Sequence, residues 1–585
     1  MLRRLALVPA LAALALAFAH AAPAQTTQLL PGVTYQDDVQ FTPHGPVAIH
    51  IVRGPRPAGL YRLAPALSNE TVTRRETVTA MERRLSPEGT AVGINGDFFS
   101  WKDGHPSGLL LRNDALVTAP NAKRSSMGIA SDGTLDVRRV RLFGTWRGSG
   151  QRRPLNAFNA VPGTNGIALF TSDYGSSTPR IPGALAVVLS PFSAATPNTD
   201  LLAPVADSRQ NASVAIAPGT AVLLARGTAA QKLAAEAPLG TNVTVRLILQ
   251  PDWTGVTDAI GGGPILLRDG RPVFRANEAF TTSQLAPRDP RSAVGQLADG
   301  RILFVAVDGR QSGYSVGMTK FELAQTMMRL GAVRAMALDS GGSTTLAFDG
   351  SLLNRPSGGK ERPISTALLL LYRGVYSPPP KVSVVSPNGD GVDEEQALAY
   401  RIVRPSTVNV TLTSPDGVVA FQETGLRDPG TYGVAFPPSA TPGPAQEPAS
   451  PEEGRWVFTV SATDDQGQTS TATRRFWVNS TIGFLRVEPR TLLLPPRGGD
   501  VKIAWTQTRP ARVTVRVQTP QGIVLRRVTQ ATYQSGQISV GWNGIRKDGR
   551  PAYGGLYEVV VTAQNGIGTV SLEEQLRIRR IAAKR

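Results

Sequence analysis

A chain of 585 residues is long enough for several domains, and its formal net charge of +18 rests mostly on arginines spread along its whole length. The cysteine count is 0, which excludes disulfides, thiolate metal sites and a cysteine nucleophile. The basic residues form no run and are not interleaved with aromatics, so anionic envelope polymers or phosphorylated sugars suit the charge better than nucleic acid.

The first element is a leader. Arg3 and Arg4 precede an apolar stretch from Leu5 to Phe18, and Ala22-Pro23-Ala24 offers a small-residue cleavage site before Gln25. This pattern predicts a signal peptide over 1–24 and a secreted, periplasmic or cell-surface protein that does not span a membrane. Downstream, His44, His50 and His105 are the remaining histidines. So few argue against multi-histidine zinc sites and most histidine-based triads.

Residues 25–375 alternate short strands, glycine-rich turns and a few helices. A helix is expected within Thr71–Arg84, a strand ending at Gly93-Ile94, a helix over Thr228–Ala235 and a strand over Val243–Leu249. The expected class is α+β, with a mixed sheet. Next come an apolar strand, Ile302–Val307, running into Asp308, and a helix from Thr319 to Leu330. A second strand, Val333–Leu338, runs into Asp339. Thr319 and Glu322 have capping-box spacing, Met318 and Leu323 can form a hydrophobic staple, and Gly331 stands where a C-cap glycine belongs. Strand, helix and strand of this length predict a right-handed crossover with parallel strands. If those strands are neighbours, the two aspartates emerge together, roughly 5 Å apart at the backbone.

Tyr376-Ser-Pro-Pro-Pro380 reads as a stiff linker over 376–380. Two all-β Ig-like sandwiches are expected after it, over 381–480 and 483–582, with alternating strands such as Thr407–Leu412 and Ala511–Val517. Pro437–Glu453 is a proline-rich loop within the first. Neither sandwich clusters catalytic residue types, so spacing or cell-surface attachment is their default role. Asn388, Asp390 and Asp393 supply part of the ligand pattern of a calcium loop, against the alternative of a plain Asp-Gly turn.

Glycines and polar residues interrupt apolar strands at Gly93–Phe99, Ala259–Leu267, Pro290–Gly295 and Arg362–Ala367. Such clusters allow close backbone approach and anion-cradling turns. Arg291 offers a planar fork for phosphate, against the alternative of an ion pair with Asp289 or Asp308. Ser292 lies in the same segment and joins the candidate substrate-binding residues. Asn95 suits a sugar hydroxyl or a turn cap, and Asp97 is a third acid or a turn residue. Beyond Gly341-Gly342, Ser343 and Thr344 can donate hydrogen bonds to phosphate oxygens. Gly313-Tyr-Ser-Val-Gly317 matches a nucleophile-elbow pattern, but Ser315 lies far past the strand end and every histidine is upstream, so the match is set aside.

With these segments in view, residues 31–373 resemble the phosphodiester glycosidase family. The resemblance is carried by Asn95-Gly-Asp-Phe-Phe, the 260–267 glycine strand, Arg291-Ser-Ala-Val-Gly, Val307-Asp-Gly-Arg-Gln, the Thr319 helix, Leu338-Asp-Ser-Gly-Gly-Ser-Thr-Thr and Arg362-Pro-Ile-Ser-Thr-Ala. Two departures stand out. The family pattern has three glycines after the second aspartate, where this chain has Ser340 first, and animal members carry no acid matching Asp97. The last sandwich resembles the Ig-like domain of flagellar hook-capping proteins through Gly541–Gly544, Lys547–Pro551 and Gly554–Val559.

The resemblance implies an exported hydrolase that cleaves the C1–O bond of a sugar-1-phosphodiester, N-acetylglucosamine-1-phosphodiester-like, in envelope or exopolysaccharide material. No cofactor is required. Asp308 and Asp339 would divide the roles of base or nucleophile and electrostatic stabiliser, with Arg291, Ser343 and Thr344 holding phosphate. The competing expectations are a metal-dependent phosphodiesterase cutting the P–O bond, and a non-enzymatic sugar-phosphate binder or adhesin.

Overall fold

Runs such as Ile302–Val307 and Thr366–Tyr372 are buried at every position, the pattern of strands covered on both faces. In the computed structural model, which describes residues 26–273, 276–438, 450–494 and 499–580, such strands organise most of the chain. Strands account for 52% and helices for 7%, so the protein is mostly β with mixed sheets. The helices form where the pattern placed them, but they are short: Val78–Arg84, Gly227–Glu236 and Lys320–Arg329. The leader lies outside the described residues, as does 439–449 of the proline-rich loop. Among the described residues no helix is long and apolar enough to cross a membrane.

The chain divides into two compact units. One takes in the residues up to Arg84 and Ala91–Leu371, the other Leu85–Thr90 and Tyr372 onward.

The first unit holds two eight-stranded and two five-stranded sheets. The sheet bearing the aspartates runs Thr26–Leu30, Val33–Thr42, Gly45–Gly54, Ile302–Val307, Arg291–Leu297, Ala332–Ala337, Ile265–Arg268, Arg271–Pro272. Every pairing in it is antiparallel. This corrects the expected crossover. The 302–307 and 332–337 strands do run parallel to one another, but Arg291–Leu297 lies between them, antiparallel to both. The two aspartates therefore leave the sheet two strand spacings apart, about 10 Å at the backbone.

Lys320–Arg329 packs on this sheet, burying Leu323 and Met327 against Val305, Val307 and Ala335. Its start has the expected chemistry: the Thr319 hydroxyl accepts from Glu322 N at 3.1 Å, and Thr319 N donates to Glu322 Oε2 at 2.9 Å. Met318 and Leu323 are buried in the same cluster, and Gly331 takes a φ of +91° at the helix end.

In the second unit, a five-stranded sheet and the pair Gln396–Ile402 and Gly430–Phe436 enclose one core, containing Tyr400, Trp456 and Phe476. Further on, sheets of three and five strands enclose a second core around Trp505 and Trp542. Tyr376, expected in the linker, is 5% exposed and exchanges backbone hydrogen bonds with Arg401.

Candidate active site

The site grows out of the end of the 332–337 strand. Leu338 N donates to Ser292 O at 2.9 Å and Asp339 N to Gly96 O at 3.0 Å, which fixes where the strand stops. The chain then turns through Gly341–Ser343, with Gly341 at φ +66°. Asp339 is half-buried, and its Oδ1 accepts from Ser340 N at 2.8 Å. Burial raises its pKa; the Ser343 hydroxyl, the Ser340 N–H, Lys320 and Arg362 act against that rise.

Asn95 is the clamp around this turn. Its Nδ2 donates to Asp339 O at 2.9 Å, while Oδ1 accepts from the Ser292 hydroxyl at 2.6 Å and Thr345 N at 3.1 Å. Asn95 and Ser292 are both fully buried and spend their polar atoms on each other and the backbone, so they position the turn rather than offer a sugar contact. Thr344 is also buried, and its carbonyl faces Asn354 Nδ2 at 3.4 Å.

Asp97 is the carboxylate nearest in character to a partner for Asp339. It is 3% exposed and held by Thr366 Oγ1, which accepts from its backbone N at 3.0 Å. Burial pushes its pKa up to about 7; the charge of Asp339 adds to the rise and Arg124 opposes it. The N–H groups of Phe98 and Gly108 face the carboxylate, yet Oδ2 has no partner of hydrogen-bond geometry among the described residues. A methyl group on Gly261 would sit 2.4 Å from that oxygen and one on Gly108 2.7 Å, so the glycines give Asp97 its room. Arg124 stacks between Phe98 and Phe280, at 4.8 and 5.1 Å from the ring centroids.

Asp308 is placed differently from expectation. It is 1% exposed, and four donors close around it: His50 Nε2 at 2.9 Å, the Tyr314 hydroxyl at 3.0 Å, Arg355 N at 3.0 Å and Asn354 Nδ2 at 2.8 Å. Both oxygens are occupied, so Asp308 joins the 309–317 and 353–355 loops to the sheet instead of facing a substrate. Ser315 is equally internal: its hydroxyl donates to Asp308 O at 2.6 Å and accepts from Ala48 N at 3.0 Å.

Arg291 is a second correction. Its side chain turns to the helix side, 1% exposed, and donates to three backbone carbonyls: Met318 at 2.8 Å, Gln284 at 3.1 Å and Pro287 at 2.6 Å. Neither the expected phosphate nor the alternative acidic partner takes those donors. The guanidiniums beside the turn belong to other residues. A methyl group on Gly341 would meet Arg310 Nη2 at 3.1 Å, and one on Gly342 would overlap Arg362. Arg310 is anchored to Asp289 through Nε at 2.8 Å. Arg362 reaches Ser343 Oγ at 3.4 Å and lies 4.9 Å over the ring of Trp101, which is 64% exposed. Two arginines thus border the turn that carries Ser343, with guanidinium donors of the kind that pair with oxyanions.

Four of these residues escaped sequence reasoning. Arg310 and Arg362 stood inside motif segments but carried no role. Lys320 and His50 gave no local signal, because each is defined by a partner distant in sequence. In the second unit, the oxygens considered for calcium cap backbone amides: Asn388 Oδ1 accepts from Asp390 N, and Asp390 accepts from Val392 N and Phe484 N, each at 2.8–2.9 Å. Asp393 sits at φ +52° in the same turn. Among the described residues no group of three or more His, Cys, Asp or Glu is arranged to hold a metal ion.

The family model described as phosphodiester glycosidase matches residues 195–371, and that of the FlgD Ig-like domain matches 495–566. The SPbeta prophage-derived uncharacterized protein YomE of Bacillus subtilis (strain 168) is 33% identical over 118 residues, 20% of this chain. The chain spans only 18% of that relative's length. A hypothetical protein from Synechocystis shares 25% identity and a TM-score of 0.50, over 60% of this chain and 64% of its own. The zebrafish N-acetylglucosamine-1-phosphodiester alpha-N-acetylglucosaminidase catalytic domain, auto-inhibited by its pro-peptide, shares 16% identity and a TM-score of 0.33, over 60% and 87%. Asp308, Asp339, Arg310 and Arg362 fall inside the first matched segment, Asn95 and Asp97 before it. The resemblance read from the motifs is thus met by the family matches: phosphodiester glycosidase over 195–371 and FlgD Ig-like domain over 495–566.

Proposed function

We propose that the chain is a hydrolase of sugar-1-phosphodiesters that breaks the glycosidic C1–O bond outside the cytoplasm, on envelope or exopolysaccharide material. The observation that carries the proposal is the grouping of Asp97 and Asp339 with Ser343, Arg310 and Arg362 around one turn. Export rests on the basic and apolar leader.

A phosphodiester leaves readily as an anion, so the protein's main work is to hold that anion and to stabilise positive charge on the sugar. Arg310, Arg362 and Ser343 supply donors to the phosphate oxygens. Of the two carboxylates, burial pushes the pKa of Asp97 up to about 7, and burial raises that of Asp339 too, against the pull of Ser343, the Ser340 N–H, Lys320 and Arg362 toward its ionised form. Asp339 then faces C1 as nucleophile or as the base that takes a proton from water, and Asp97 can hold a proton beside it. The C1–O electron pair departs with the phosphate, and water supplies the new hydroxyl on the sugar.

The test is incubation of the full chain with UDP-GlcNAc and with the methyl diester of GlcNAc-1-phosphate in water enriched in oxygen-18. Free GlcNAc carrying the label at C1 supports the proposal. Label in the phosphate product, with chelator sensitivity, would replace it with a metal-dependent phosphodiesterase. No turnover at all would leave a binder.

A further inference from the structure

A cavity of about 540 Å³ lies between residues 264–273 and 276–286 on one side and the first turn of the Lys320–Arg329 helix on the other. Ile265, Leu266, Val273, Leu285 and Phe321 line it, with Phe280 on one wall. Its size and lining are those of a ligand pocket rather than a packing defect. Two of its residues belong to the candidate active site as well. Lys320 lines the cavity and sends its ammonium to Ser340 Oγ at 2.7 Å and Leu338 O at 3.3 Å, either side of Asp339. Phe280 lines it and carries Arg124 on its ring, beside Asp97. The polar groups at that end are spent: Glu278 accepts from Ser125 N, Ser125 Oγ and Ile265 N at 2.8–2.9 Å. What remains for an occupant is a mostly apolar wall, with Asn277 and Thr319 also in the lining.

From this continuity we infer that the cavity holds the alcohol side of the substrate, and that this alcohol is a long aliphatic chain. The substrate class is a glycosyl-1-phospholipid, an inference that rests on the hydrolase reading above. Sugar C1 and phosphate sit at Asp339 and the Gly341–Ser343 turn, and the chain runs past Lys320 into the cavity. Each methylene that leaves water contributes about a fourfold gain in binding. The gain stops when the cavity is full, which a surface-adsorbed chain would not reproduce.

The experiment is a series of GlcNAc-1-phosphate alkyl diesters, methyl, butyl, octyl and dodecyl, assayed below their micellar concentrations with the wild-type chain and with Phe321→Glu. Phe321 is 49% exposed in the first helical turn, where a carboxylate is tolerated, so the variant keeps its fold, checked by thermal melting. The expected result is a kcat/KM that rises at least about thirtyfold from methyl to octyl, through KM, and then levels off. In Phe321→Glu the octyl-to-methyl ratio should fall by about tenfold or more. A wild-type ratio near unity, or one that Phe321→Glu leaves unchanged, overturns the inference. If no diester releases sugar, calorimetric binding of the series decides: octyl binding that Phe321→Glu weakens keeps the cavity and removes the hydrolase, and chain-length-independent binding removes both.

Discussion

Lys320 Nζ lies 2.7 Å from Ser340 Oγ, deep beneath the turn that follows Asp339, at the position where the phosphodiester glycosidase pattern has glycine. Burial lowers the pKa of this ammonium well below its ordinary value, and Arg291 adds to the effect while Asp339 opposes it. The serine hydroxyl therefore replaces part of the water that the ammonium gave up. Ser340→Gly should destabilise the protein by about 1–3 kcal/mol in chemical denaturation, because a buried donor loses an acceptor. Lys320→Met removes the positive charge and should move the Asp339 limb of the pH–rate profile upward; an unmoved limb would show that the two charges are not coupled.

Asp97 makes stability depend on pH in a stated direction. The unfolded chain gives up this proton near pH 4, whereas the folded protein does so at about 7. Across that window the folded state binds more protons, so stability falls as pH rises through it, by on the order of 4 kcal/mol in all. Asp97→Asn carries no charge at any pH. Its melting temperature should match the wild type near pH 4 and exceed it above pH 7, while activity loses its alkaline limb.

The two motif aspartates should separate under substitution. Asp339→Asn is expected to keep the fold and lose about 10²–10⁴ in kcat, the usual scale for a catalytic acid or base. Asp308→Asn turns an amide toward four donors and should cost about 3–5 kcal/mol of stability, because it breaks a buried charged node. Melting curves and single-turnover rates on both variants check this. Equal melting temperatures would return Asp308 to the candidate catalytic set.

The arginines should divide in the same way. Arg310→Gln and Arg362→Gln each remove a charged donor at the turn and should lower kcat/KM by about tenfold to a hundredfold with unchanged melting. Arg291→Gln leaves backbone carbonyls buried without donors and should act on stability instead.

Much of this is legible in the amino-acid sequence. The Thr319–Glu322 capping box, the Met318–Leu323 pair and Gly331 located one helix to within a residue, because each acts over a few positions of chain. The motif segments at 95–99, 338–345 and 362–367 also marked the region of the site. Strand order was not legible. An all-apolar strand such as 302–307 can accept any neighbour on either edge, and nothing in its own residues announces that 291–297 inserts beside it. That insertion separated Asp308 from Asp339 and turned Arg291 toward the helix. Arg362 and Lys320 were hidden for a related reason: contact with Ser343 and with Ser340 follows from the closed fold and from no periodicity.

One amide group, that of Asn95, touches segments that begin at residues 95, 292, 339 and 345, spread over some 250 positions of sequence. A partly folded chain can contain all of these stretches and still lack any hydrogen-bonded turn at 341–343. Cleavage or truncation that frees one segment dissolves the whole cradle at once, with no graded loss. Turnover should therefore serve as a faithful gauge of how much of the first unit has fully assembled.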